Sequence, residues 1–154
     1  MLDWIDVLLR LTAATVIGGA IGLDRETRGK PTGVRTMGIV ALGSAVAVTA
    51  SQYAGGVPDM NAGSRVLQGV ITGIGFLGAG VILRNPSGGK VHGLTTAATI
   101  WLTACIGVAC GLGAWAPVVT SVVLVTIILA VGKPLERAFD GSDRNDSGSG
   151  DKEI

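Results

Sequence analysis

Charge is what this chain has least of. Of 154 residues only 15% are charged and 4% aromatic, with 2 cysteines, 1 histidine and 5 prolines. Two cysteines make no disulfide framework, and Cys105 and Cys110 sit about 140° apart around a helix, too far round for a local bridge. They read as small packing residues of an apolar span. A single histidine, His92, excludes a histidine-based metal cluster within one chain. Neither a Ser-His-Asp set nor a lysine-bearing phosphate loop is present, so enzyme chemistry has almost no material. The net charge of +1 says little, because what matters is where each charge sits, and no nucleic-acid partner is expected. The opening Met1-Leu2-Asp3-Trp4-Ile5-Asp6 is acidic where a removable signal peptide would be basic.

What the chain has instead is apolar length. Hydrophobic residues make up 48% and mean hydropathy is +0.56. Formal charge is absent from 23 residues between Arg35 and Asp59, 18 between Arg65 and Arg84, and 42 between Lys90 and Lys133. About 20 such residues cross a hydrocarbon core as a helix, and the longest run suffices for two crossings. A soluble nuclease, a disordered chain and a disulfide-stapled module are excluded. The expected fold is an all-α membrane protein, a bundle of about five glycine-rich transmembrane helices.

The expected spans are residues 5–23, 36–54, 66–83, 94–112 and 117–132. The last two part at Gly111-Leu112-Gly113-Ala114-Trp115-Ala116-Pro117, where glycine and proline favour a turn. Basic residues set the orientation. Arg25, Arg28, Lys30 and Arg35 in the first connection share a side with Arg84 and Lys90 in the third and with Lys133, Arg137, Arg144 and Lys152 near the C-terminus. Only Arg65 stands in the opposite connections. The N-terminus is therefore expected outside and the C-terminus in the cytoplasm. Residues 1–139 would form the membrane domain, and residues 140–154, small and polar with alternating charge, a disordered cytoplasmic tail.

Glycine occurs 25 times. Gly18 with Gly22, Gly69 with Gly73, and Gly107 with Gly111 have the four-residue spacing that lets helix backbones approach closely in lipid. Gly73, Gly75, Gly78 and Gly80 fall within eight residues, so two readings stay open for the third span. They pack a continuous helix, or they break it at midplane and expose carbonyls to an ion. Gly73-x-Gly75-x-x-Gly78 matches the dinucleotide fingerprint formally, but the strand, helix and acidic residue that motif needs are missing.

Few polar residues have chemistry to offer. Arg10 is the one formal charge well inside a span, with Asp6 four residues earlier on the same helix face. It is a structural ion pair or an intramembrane functional charge. Asp24 and Glu26 are the cation-binding candidates, because carboxylate oxygens suit Mg²⁺. Arg25 and Arg28 beside them oppose a cation, which keeps ordinary salt bridging and headgroup contact open. Arg35, Arg84, Asn85 and His92 are further polar candidates in the connections. Thr95 and Thr96 either bond back to their own helix or face a polar pocket between helices.

Five segments in order resemble the membrane domain of the MgtC/SapB family. They are Ile21-Gly22-Leu23-Asp24-Arg25-Glu26; Gly33-Val34-Arg35-Thr36; Gly73-Ile74-Gly75-Phe76-Leu77-Gly78-Ala79-Gly80-Val81-Ile82; Gly93-Leu94-Thr95-Thr96-Ala97-Ala98 with Trp101; and Ala104 through Gly113. Asp24 stands where the family more often has Glu, which keeps the carboxylate. Many members continue into a cytoplasmic regulatory domain, which is not expected of the polar tail here. The resemblance implies a multi-pass protein of the bacterial inner membrane, linked to magnesium homeostasis, adaptation to low Mg²⁺ and, in pathogens, virulence. It implies a non-enzymatic regulator that binds other membrane proteins such as F-type ATP synthase, with bulky changes at Gly18, Gly22 or Gly107 expected to disturb that binding. The alternative is a channel or transporter for Mg²⁺ or another cation, acting as a homo-oligomer, with Mg²⁺ its ligand or cargo.

Overall fold

The computed structural model describes residues 3–53, 60–83 and 93–146, with side chains over 3–52, 63–82 and 93–131. Five helices follow one another: α1 (Trp4–Thr27), α2 (Val34–Tyr53), α3 (Met60–Leu83), α4 (Leu94–Leu112) and α5 (Trp115–Asp146), with no strand among the described residues. Many of their residues are valine, threonine and glycine, weak helix formers in water. Lipid reverses that preference, because a helix satisfies every backbone amide within its own segment. Trp4–Thr27, Val34–Gln52, Gly63–Ile82 and Leu94–Leu112 are long and apolar enough to cross a membrane. Among the described residues the apolar stretch of α5 covers Trp115–Val131, so four of the five expected spans are seen at full crossing length.

Three helices outrun their expected ends. The segment from Asp24 to Thr27 belongs to the last turn of α1 rather than to a loop. Its charges end the apolar run, but arginine and glutamate are good helix formers and the backbone continues. It stops at Gly29, whose φ of +63° lets the Gly29 amide donate to the Glu26 carbonyl and the Lys30 amide to that of Arg25. Helix α3 begins at Met60, ahead of residue 66, and passes without a break through Gly73, Gly75, Gly78 and Gly80. The discontinuous-helix alternative is therefore not how this segment folds. Helix α5 crosses the expected 139/140 boundary and ends at Asp146. A helix already nucleated gains a hydrogen bond for each residue added, even through polar sequence.

The chain divides into two compact units, α1–α4 up to Val118 and the rest of α5 from Val119. Within the first, α2 lies between α1 and α4, while α3 packs mainly on α4. Cross-helix neighbours give the directions. Gly18 meets Met37 and Ala41, and Gly22 meets Gly33 and Val34, so α1 and α2 run antiparallel. Gly107 meets Ala41 and Gly111 meets Ala45, so α2 and α4 run parallel. Met37, Val40, Ile74, Ile100 and Ala104 form the buried core, with Val70 and Val81 against it.

Candidate functional site

Two arginines of α1 grip opposite ends of α4. At one end, α4 stops in a Schellman motif with Gly113 at φ +72°. The Gly113 amide donates to the Cys110 carbonyl and the Ala114 amide to that of Ala109. That pattern leaves the Gly111 carbonyl unused, and Arg10 fills it. Its Nη1 donates to the Gly111 oxygen at 3.0 Å and to Gln52 Oε1 at 3.4 Å, while Nη2 pairs with Asp6 at 2.7 Å. Thr49 Oγ1 donates to the same carbonyl at 3.3 Å. A cation against a helix's carbonyl end agrees with the backbone dipole. Arg10 is thus an ion-paired cap, although its Nε is buried without a partner.

The other end is more polar and more deeply buried. Arg25 is 3% exposed, and its Nη2 donates to Thr96 Oγ1 at 2.6 Å and to the Pro31 carbonyl at 3.1 Å. Its Nη1 donates to Thr99 Oγ1 at 3.2 Å, and its Nε has no partner. Thr99 and Thr103 in turn donate to the carbonyls of Thr95 and Thr99 on their own helix. Thr96 is thereby in a pocket between helices, whereas Thr95 is exposed.

The two carboxylates serve different partners. Asp24 Oδ1 accepts from Arg28 Nε at 2.9 Å and Nη2 at 2.7 Å, while its Oδ2 is buried without a partner. Glu26 Oε2 accepts the Val34 amide at 3.2 Å, capping the start of α2. An open cleft beside that cap is lined by Glu26, Lys30, Gly33, Val34, Arg35 and Thr36. Among the described residues no three of His, Cys, Asp or Glu gather into a metal-holding group. Cys105 and Cys110 are free thiols, half-buried and buried. Arg84, Asn85 and His92 lie outside the described residues.

The glycines divide into two groups. A Cβ on Gly18 or Gly22 would come within 2.6 or 2.7 Å of α2 or the turn before it, and one on Gly111 within 2.7 Å of the Ala45 carbonyl. One on Gly107 would run into the Ala41 carbonyl outright. These four hold the chain's own helices together. Gly69, Gly73, Gly75 and Gly80 have nothing within 4 Å of that position, and Gly78 only Ala97 at 3.5 Å. Thr99, Thr49, Gln52 and the Pro31 carbonyl escape a reading of the sequence. The three- and four-residue spacing of Thr96, Thr99 and Thr103 is the one signal that would have placed Thr99 on a polar face.

Long apolar helices, glycine-mediated contacts and two α1 arginines placed at opposite ends of α4 define a polytopic helical membrane protein. A profile of the MgtC family matches residues 11–138, and the chain belongs to that family. It is 46% identical to Protein SrpB of Synechococcus elongatus, over 73% of this chain and 67% of SrpB. It is 42% identical to Protein MgtC of Salmonella typhimurium, over 77% of this chain and 48% of that protein. For Protein MgtC of Brucella abortus the values are 37% identity, 84% and 52%. The chain thus spans about half the length of the MgtC proteins it matches. No solved structure matches it.

Proposed function

We propose that the protein is a non-enzymatic regulator in the bacterial inner membrane. It serves magnesium homeostasis and adaptation to low Mg²⁺ by docking on other membrane proteins, with F-type ATP synthase the target the family suggests. The N-terminus lies outside and the C-terminus in the cytoplasm, as the basic connections require. The observation that carries this reading is the unequal use of glycine. Gly18, Gly22, Gly107 and Gly111 are consumed by internal contacts, whereas Gly69, Gly73 and Gly80 of α3 line one open face around Phe76, which is 82% exposed. Small residues flanking a large one give a helix of another protein a groove and a knob to pack on. Docking is therefore assigned to α3, and changes at Gly18, Gly22 or Gly107 are expected to act on the fold first.

Two measurements test the reading. Gly73→Leu with Gly80→Leu should remove co-purification of the ATP synthase membrane sector from mild detergent while leaving thermal unfolding unchanged. Retention of that partner by the folded double variant sinks the docking face. In the second, purified protein in proteoliposomes is assayed for Mg²⁺ entry with an enclosed magnesium-sensitive dye. Flux above empty vesicles that disappears in Asp24→Asn with Glu26→Gln would replace the regulator with a cation transporter.

A further inference from the structure

On a continuing helix Lys30 would stand one turn beyond Glu26 and pair with it. Helix α1 stops short of that, and the turn at Gly29, with φ +63°, carries Lys30 out of register. Glu26 reaches forward instead, and its Oε2 accepts the Val34 amide at 3.2 Å. Gly33 leaves it the room, since a Cβ there would run into the carboxylate. The result is a cleft of about 620 Å³ whose lining carries both signs of charge, Glu26 together with Lys30 and Arg35, and the Thr36 hydroxyl. Among the described residues Glu26 forms an ion pair with neither cation, and the side chains of Lys30, Arg35 and Thr36 have no hydrogen-bond partner.

Opposite charges in one cleft attract, and here the backbone keeps them apart. The buried Arg25 donates to the Pro31 carbonyl at 3.1 Å, and the Lys30 amide donates to the Arg25 carbonyl at 3.0 Å. Thr32 holds a left-handed φ of +67°, which a β-branched residue adopts only where its surroundings impose it. The cleft lies where two membrane-crossing helices meet their connection, between the Trp4–Thr27 and Val34–Gln52 spans. Groups at the ends of such spans stand at the level of lipid headgroups.

We propose that this cleft binds a phospholipid headgroup carrying both a phosphate and a primary ammonium, as phosphatidylethanolamine does. The phosphate oxygens accept from Lys30, Arg35 and the Thr36 hydroxyl, guanidinium being well matched to phosphate. The ammonium donates to Glu26 Oε1, the oxygen that the Val34 amide leaves free. Phosphatidylcholine brings the same two charges, but its quaternary nitrogen has no N–H to donate. Phosphatidylglycerol brings the phosphate without a cation for Glu26. Because the turn is already fixed, little ordering opposes binding.

The test is native mass spectrometry of the full chain in detergent, given equimolar phosphatidylethanolamine, phosphatidylcholine and phosphatidylglycerol with the same acyl chains. One phosphatidylethanolamine should stay bound in preference to both others. Lys30→Gln with Arg35→Gln removes no contact among the described residues and should lower that retention about tenfold or more, as for lost hydrogen bonds to charged groups. Glu26→Gln should erase the preference over phosphatidylcholine. Equal retention of the three lipids overturns the site, as does a preference for phosphatidylglycerol, which marks an ordinary basic surface. So does a phosphatidylethanolamine preference that survives either variant. The Lys30 and Arg35 pair decides by itself if circular dichroism shows that Glu26→Gln loosens α2.

Discussion

Helices α3 and α4 look alike on paper and behave oppositely in the fold. Both are apolar, both carry a GxxxG pair, and both are long enough to span a bilayer. Yet 56% of the α4 span is buried inside the protein and only 11% of the α3 span. The α4 glycines touch the backbone of α2, while three of the four α3 glycines between Gly73 and Gly80 touch nothing. A small-residue motif therefore states that a close approach is available to a helix, and not with whom. In α4 the neighbour is the same chain. In α3 the face is left for lipid or for another protein.

The largest expected effect breaks this contrast directly. Gly107→Leu forces side-chain atoms into the Ala41 backbone, which cannot yield, so a loss of about 3 kcal/mol or more, or failure to fold, is expected. Gly73→Leu should change stability by about 0.5 kcal/mol or less, as at an open surface. Unfolding of both variants in mixed micelles checks the pair, and equal losses would mean that α3 is packed after all.

The next effect compares the two arginines on α4. Arg25→Gln should cost about 2–3 kcal/mol, since it strips charge-assisted bonds from two buried threonine hydroxyls and the Pro31 carbonyl. Arg10→Gln keeps a donor near Gly111 and sits closer to solvent, so about 1–2 kcal/mol is expected. Reversal of that order in matched unfolding curves would make the α4 carbonyl end the stronger clamp. Thr99→Val should reproduce part of the Arg25 loss and none of the Arg10 loss.

The smallest effect concerns Glu26. Glu26→Gln keeps an oxygen for the Val34 amide but removes the negative charge from the start of α2, worth about 0.3–1 kcal/mol. Added salt should narrow the difference from the parent chain, because the group is exposed and screened. A salt-independent difference would show a contact other than the dipole.

Much of the architecture was legible because hydropathy is local. The absence of charge over a span's length dictates a helix in lipid whatever its neighbours do, and the spans at α1, α2 and α4 fall close to where they were expected. Helix ends were less legible, since charged residues terminate a hydropathy run without terminating a helix, as Asp24 to Thr27 do. Of the candidate site, Arg10 with Asp6 was readable as a pair four residues apart. Arg25 with Thr96 and Thr99 was not, because its partners lie 71 and 74 residues away.

Composition and local spacing were thus enough to make this chain a membrane helix bundle, since burial in hydrocarbon and backbone satisfaction are decided within each segment, while the MgtC family was carried by the resemblance of five segments in order. Which glycines are consumed internally and which face outward needed three dimensions. So did the burial of Arg25 against the Thr96 and Thr99 hydroxyls at the amide end of α4. Those facts depend on which helices meet and in what direction, and no window along a single helix contains that information.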